Sequence, residues 1–291
     1  MNLRVSTILG ILSVSLTVAG LLSGCGNLSG SLDQTVRDME KRQSLPSRPL
    51  RPIAREDLAS LPPIVRRYLE FSGVVGKVPV QRVRVRQEGR MKTSLKAEWR
   101  SFRSEEYYTL TPRAFAWLGT FPLAGPLTVQ AIDRFIDGRG SLKVRLSPFF
   151  DIGNTRGPES DVSEFIRFFN EMTWFPTAML DPRIAWADLG NRRVKATLRD
   201  GGLEASAILS FAENGALLSW MTDDRFALVD GKMVRARWTT TCDPKDLLNV
   251  AGYKIPRGGA AIYSLPGGDF HYIDIYVTEI EYDPPELLYR R

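Results

Sequence analysis

The chain has 291 residues, 43% hydrophobic and 25% charged, an ordinary balance for a folded globular protein. Its formal charge of +6 is a modest basic excess that gives no reason to expect nucleic acid as a partner. One histidine and two cysteines exclude metal centres built on imidazole and thiolate, and no metal or other cofactor is expected.

A short n-region with one basic residue, Arg4, precedes an apolar run from Val5 to Leu22 broken only by Ser, Thr and Gly, so residues 1–24 read as a secretory signal peptide. Leu22-Ser23-Gly24-Cys25 then resembles the lipobox of bacterial lipoproteins. That resemblance implies cleavage between Gly24 and Cys25 and a diacylglycerol thioether on Cys25. An uncleaved anchor helix is the alternative, although the run falls just short of the roughly 20 residues that span a bilayer. Both readings place the folded part in the cell envelope, outside the cytoplasm, on a periplasmic or extracellular face. With Cys25 lipidated, Cys242 has no partner within the chain and reads as a small packed residue.

Residues 25–55 read as the lipidated cysteine and a flexible tether. Asn27, Ser29, Gly30 and Ser31 loosen its start, Asp33 to Arg42 suit a short charged helix, and Pro46, Pro49 and Pro52 stiffen the rest. Such a tether would lift the domain off the bilayer. The folded domain is expected over residues 56–283, with a C-terminal tail over residues 284–291. Ile64, Val65, Tyr68 and Leu69 recur at helical spacing, giving a helix from about Pro62 to Phe71.

From there the hydrophobic period changes to two. Leu95, Ala97 and Trp99 alternate with Lys96, Glu98 and Arg100, and the same pattern recurs through Leu142 to Leu146, Val194 to Leu198 and Leu203 to Phe211. Asp137-Gly138, Asp200-Gly201-Gly202, Asn214-Gly215, Asp230-Gly231 and Pro266-Gly267-Gly268 punctuate the run, so neighbouring strands are antiparallel. About eleven strands are too many for a flat sheet. The expected fold is therefore mainly β (α+β): a curled antiparallel sheet or half-barrel with a helix packed in its concave side. That helix spans residues 161–175, with Asp161 and Glu164 as a capping box. Val162, Phe165, Ile166, Phe168, Phe169, Met172 and Thr173 give it an apolar face too broad for a flat surface. Glu164, Arg167, Asn170, Glu171 and Trp174 fall on its other side.

The order helix, strands, helix, strands resembles the periplasmic lipoprotein carriers of bacteria, a likeness of fold that assigns no activity. At the level of motifs the chain resembles a bacterial family of unknown function. The phrases are Trp99-Arg100, Asp137-Gly138-Arg139-Gly140, Arg156-Gly157-Pro158-Glu159, Glu171, Trp174-Phe175-Pro176-Thr177-Ala178 and Ile255-Pro256, spread between about residue 60 and 282.

No nucleophile elbow, phosphate loop or dinucleotide fingerprint is present. His271, the single histidine, shares a strand face with Ile273, Ile275 and Val277 and reads as a packed or rim residue. Carboxylates are the remaining chemistry. Asp133 stands on the strand face of Val129, Ala131 and Phe135 and points into an apolar interior; Glu159 and Glu171 are further candidates, with Arg156 as their partner. They form either a structural ion-pair network or a hydrolytic pair. Arg82, Arg84 and Arg86 line one strand face, either solvated or resting on anionic lipid.

The preferred reading is a membrane-anchored lipoprotein that binds or carries a lipid or another hydrophobic ligand. Phe165, Phe169, Met172, Trp174, Phe175 and Trp117 are the expected lining. The alternatives are an envelope hydrolase acting on sugars through paired carboxylates and a structural subunit of an envelope complex.

Overall fold

The computed structural model describes residues 27–44, 49–229 and 231–289. The expected cleavage site at Gly24 and Cys25 lies outside them. Helix α1 (Ser29–Arg42) and helix α2 (Pro63–Phe71) precede a first meander of six strands. These are β1 (Arg82–Met91), β2 (Arg100–Leu110), β3 (Arg113–Pro122), β4 (Thr128–Ile136), β5 (Arg139–Ser147) and β6 (Phe150–Arg156). Helix α3 (Pro158–Glu171) and two short 3-10 turns, Met172–Trp174 and Pro176–Leu180, lead to a second meander: β7 (Ile184–Gly190), β8 (Arg193–Asp200), β9 (Leu203–Phe211), β10 (Leu217–Val229) and β11 (Lys232–Thr241). β12 (Leu247–Val250) and β13 (Tyr253–Pro256) make a separate hairpin, and β14 (Gly258–Leu265) and β15 (Gly268–Tyr282) complete the main sheet.

That sheet has 13 strands in the order β6-β5-β4-β3-β2-β1-β15-β14-β11-β10-β9-β8-β7, somewhat more than the eleven expected. Every pairing in it is antiparallel, as short turns require. β1 and β15 join the two meanders in the middle, from Val83 opposite Tyr282 to Met91 opposite Ile273. The two meanders therefore end on opposite edges, β6 and β7. Chain leaving β6 must cross the whole sheet to begin β7, and α3, about 21 Å long at 1.5 Å per residue, makes that crossing. It packs on β4, β5 and β6 from one half and on β9 and β10 from the other. The sheet curls around it.

Leu95, Ala97 and Trp99 form no strand, because they lie beyond the last paired residues, Met91 and Arg100, with no neighbour to hold them extended. And α3 begins at Pro158 rather than Asp161: Gly157, at φ 122°, occupies the N-cap, proline takes the first turn, and Asp161 makes no capping box.

Alternation divides the side chains between two cores. Val83, Val85, Phe102, Tyr108, Phe115, Trp117 and Phe135 face the hollow and meet α3 and α2 there. Tyr107, Ala114, Ala116, Leu118 and Ile132 face outward and meet α1. Here the structure departs from the expected tether over residues 25–55. Leu28, Leu32, Val36 and Met39 recur at helical spacing among charged residues, and all are buried against the outer face. Of the expected tail over residues 284–291, Leu287 and Tyr289 are likewise docked in the same outer core, and the Leu287 N–H donates to Glu40 Oε1 at 2.6 Å. Only a short charge-poor stripe distinguishes such a helix from a linker.

The outward row of arginines is committed within the protein. Arg84 pairs with Glu281, Arg86 with Glu279 and Glu105, and both guanidiniums lie over the Tyr289 ring, at 4.5 and 3.8 Å. Arg82 pairs with Glu40 of α1.

Leu32 is fully buried between α1 and the sheet. Leu32→Ala is expected to destabilise the protein by about 2–5 kcal/mol, read as a lower urea midpoint, and a free tether would show no change.

Candidate functional site

A buried ionic cluster under α3 is the one concentration of ionisable groups inside the hollow among the described residues. Its hub is Arg167, in the middle of α3. The guanidinium donates to Glu106 Oε1 on β2 at 2.7 Å, to Asp133 Oδ2 on β4 at 2.8 Å and to Glu171 Oε1 one turn on at 2.8 Å. It also lies over the Phe115 and Trp117 rings, at 4.9 and 5.2 Å. The carboxylates are held in turn. Tyr108 donates to Glu171 Oε2 at 3.0 Å, and Gln87 Nε2 donates to Glu106 Oε2 at 3.0 Å. Ser104 Oγ and Trp117 Nε1 both donate to Gln87 Oε1, fixing which way that amide points.

Glu164, one turn before Arg167, and Arg225 of β10 extend the cluster to the other half of the sheet. Both are buried, and Arg225 packs at 4.1 Å over the Trp238 ring. A bulge between Thr222 and Arg225 turns Arg225 inward, and the Phe226 N–H just after it donates to Ser163 Oγ of α3. Asp133 Oδ1, Glu164 Oε2 and Arg225 Nε are buried with no protein partner.

Four carboxyls face two guanidiniums, and burial decides how many ionise. It pushes Glu106 up to about 8 against the pull of Arg167. It also pushes Glu164 up to about 8, reinforced by the charge of Asp133, and raises Asp133 itself against the pull of Arg167 and Arg225. Glu106 and Glu164 therefore take up protons near neutral pH, which reduces the excess of negative charge in the cluster.

The expected site residues divide sharply. Asp133 and Glu171 meet, but through Arg167 rather than Arg156. Arg156 is exposed at the end of β6, and Glu159, in the first turn of α3, stands about 18 Å from Glu171 at 1.5 Å per residue. The helix side read as outward is buried too, since Glu164, Arg167 and Glu171 all face sheet. Phe165, Phe169, Met172, Trp174, Phe175 and Trp117 all lie in the inner core. They pack on one another and on the sheet: Phe165 on Phe135, Phe169 on Trp220, Phe175 on Tyr108, Trp117 on Phe102. They fill the hollow. Two surface depressions, of about 280 and 570 Å³, lie outside it.

Sequence reasoning missed Glu106, Glu164, Gln87 and Arg225. Extending the alternation of Phe102, Ser104 and Tyr108 places Glu106 inward, so that signal was present. Arg225 carried none, because a bulge breaks the phase. His271 lies at the sheet rim, its Nε2 2.6 Å from Asp274 Oδ1 and its ring against Trp99. Burial pushes the Cys242 thiol up to about 12, which keeps it unreactive.

Three of the quoted motifs, Asp137-Gly138-Arg139-Gly140, Arg156-Gly157-Pro158-Glu159 and Trp174-Phe175-Pro176-Thr177-Ala178, form the two seats of α3. Asp161 Oδ1 accepts from the Gly140 N–H at 2.7 Å and its Oδ2 from Arg139 at 2.8 Å. A Cβ on Gly140 would stand 2.2 Å from the Ser160 carbonyl oxygen, so only glycine permits this approach. At the other end, the Trp174 carbonyl accepts from Tyr282 and Thr177 Oγ1 accepts from the Val80 N–H.

The architecture is thus a curled antiparallel half-barrel whose hollow is spanned by one ion-bearing helix. Residues 51–275 match a family of unknown function, DUF6544, and the chain belongs to that family. No curated protein matches. Among solved structures, the chain is similar to a LolA superfamily protein from Nitrosomonas europaea, at 11% identity and TM-score 0.44 over 75% of this chain and 91% of that one. It is also similar to a putative outer membrane lipoprotein-sorting protein domain from Vibrio parahaemolyticus, at 10% identity and TM-score 0.36 over 70% and 86% of the two chains. A DUF1329 family protein from Desulfovibrio piger shows 14% identity and TM-score 0.34 over 76% and 91%.

Because Glu106 and Glu164 hold their protons more tightly when folded, the unfolded chain, where they titrate near 4.5, releases protons that the folded protein keeps. Stability is expected to fall as pH rises from about 4.5 to about 8 and to level off above. Urea midpoints across that window check this, and Glu164→Gln should flatten the slope. Arg167→Met removes the guanidinium that Glu106, Asp133 and Glu171 share and is expected to cost about 3–5 kcal/mol in denaturant titrations. Arg167→Lys should recover only part of that, because an ammonium cannot fork between three acids.

Proposed function

We propose that this protein is an envelope lipoprotein, fixed to a membrane through Cys25, that binds an amphiphilic lipid or similar hydrophobic ligand between α3 and the sheet. The observation that carries the reading is the mixed lining of the hollow. Aromatic side chains from helix and sheet face one another there, interrupted by an ionic cluster with three unpartnered polar atoms, Asp133 Oδ1, Glu164 Oε2 and Arg225 Nε. An apolar chain suits the first surface and a polar head the second. A buried polar atom left unpaired costs about 1–3 kcal/mol, so a guest that satisfies such atoms gains affinity.

Because its own side chains fill the hollow, admitting a guest requires α3 to lift. Gly157 and the turns after Glu171 are the points about which it would swing. No helix of the described residues is long and apolar enough to cross a membrane. The hydrolytic reading asks for two carboxylates in an open cleft. Asp133 and Glu171 instead share one guanidinium under a helix.

Radiolabelled palmitate is expected to enter the protein and to be absent from Cys25→Ser. Gentle extraction and intact-complex mass spectrometry should then show a bound lipid, and a fluorescent fatty acid should displace it. Phe169→Trp, which overfills the hollow, is expected to weaken that binding about tenfold, or ~1.4 kcal/mol. Protein that is repeatedly lipid-free and does not bind the fatty acid ends the reading.

A further inference from the structure

We propose that the rim of the sheet formed by the β3–β4 and β5–β6 hairpins is a membrane-inserting face, pressed into the bilayer by the anchor rather than held away from it. The proposal rests on the reading of Cys25 as lipidated and goes beyond it by fixing which face of the domain meets the lipid.

The first observation is where the N-terminal chain joins the domain. Leu28 is buried, and its N–H donates to Gln130 Oε1 of β4 at 2.7 Å. α1 then runs away along the same strand, since Ser31 and Thr35 take hydrogen bonds from Arg134, and Arg42 pairs with Asp137. Its N-terminus is thereby pinned at one end of β4 and its C-terminus at the other. Two residues, Gly26 and Asn27, separate Cys25 from Leu28, so the three steps between them reach at most ~11 Å even when fully extended. Gln130 is two residues from Thr128, which pairs with Pro122 and with Ser147 at the bases of the two hairpins. That adds about 7 Å along the strand. Acyl chains on Cys25 would therefore enter the bilayer beside these hairpins. The polar layer of a membrane is itself only about 5–8 Å deep on each side, so the rim has no room to stand clear of it.

The second observation is what the rim exposes. Phe149 and Phe150 are each 58% exposed, Ile152 41% and Leu123 37%, and Leu95, in the loop between β1 and β2 at the same end, is 46% exposed. These are five of the ten large hydrophobic side chains that face solvent among the described residues, gathered where the chain from Cys25 arrives. Two adjacent phenylalanines at a hairpin tip are costly in water and favourable at the boundary of headgroups and acyl chains. The chain geometry and the apolar tips thus specify the same occupant, a lipid surface.

The test uses the full lipidated chain in phosphatidylcholine vesicles, in a Cys242→Ala background. An environment-sensitive fluorophore is placed at Phe149→Cys or, about 20 Å away along α1, at Lys41→Cys. With brominated lipid, the probe at 149 is expected to shift to the blue and lose most of its emission, while the probe at 41 is unaffected. Equal quenching at both positions, or quenching at 41 alone, overturns the proposal. If palmitate is incorporated and the protein stays on the vesicles but 149 is not quenched, the rim is not inserted although the anchor reading stands. If palmitate is not incorporated and the protein leaves the vesicles, both fail.

Discussion

The structure depends on one buried guanidinium. Arg167 bridges carboxylates from β2, β4 and its own helix, while Glu164 and Arg225 carry the same set of charges across to β10. Greasy contacts alone would let α3 rotate or slide within the hollow, since its aromatic residues meet aromatic residues on both sides. Charges with fixed partners allow one depth and one rotation. The desolvation cost of bringing them inside is met partly by the proton uptake of Glu106 and Glu164.

The same arrangement explains why one helix can hold two meanders together. Among the described residues β1 and β15 provide the only ladder between the halves, and α3 provides another tie, lying across both. Its two seats are built from backbone-level fits, the Gly140 approach to Ser160 at one end and the Trp174 and Thr177 hydrogen bonds at the other. Three of the short phrases that stand out in the sequence, at 137–140, 156–159 and 174–178, are these seats.

Much of the fold was legible because a half-buried antiparallel strand announces itself in every second residue. β5, β8 and β9 read directly, and so did the broad apolar face of α3. The errors have physical causes. The alternation from Leu95 to Trp99 lacks a partner strand, and alternation alone does not supply one. α1 looked like tether because only Leu32, Val36 and Met39 within it are apolar and its remaining residues are small, polar or charged, which is what a helix on an outer face needs. The candidate site was half legible. Asp133 stood out as an acid on an apolar strand face, but Arg167 and Glu171 at a four-residue spacing looked like an exposed pair, because spacing carries no information about what lies above the helix. Only the topology, which sends α3 between the two edges, turns that polar stripe inward.

One feature of the connectivity governs how such a molecule can be made. The central ladder joins residues near the beginning of the domain to residues near its end, Val83 beside Tyr282. During vectorial synthesis or export, each meander can assemble locally as it emerges. The seam between them must stay open until the final strand arrives, so the middle of the sheet, normally its most protected part, is the last to close and the first place where a stalled or truncated chain would expose adhesive backbone.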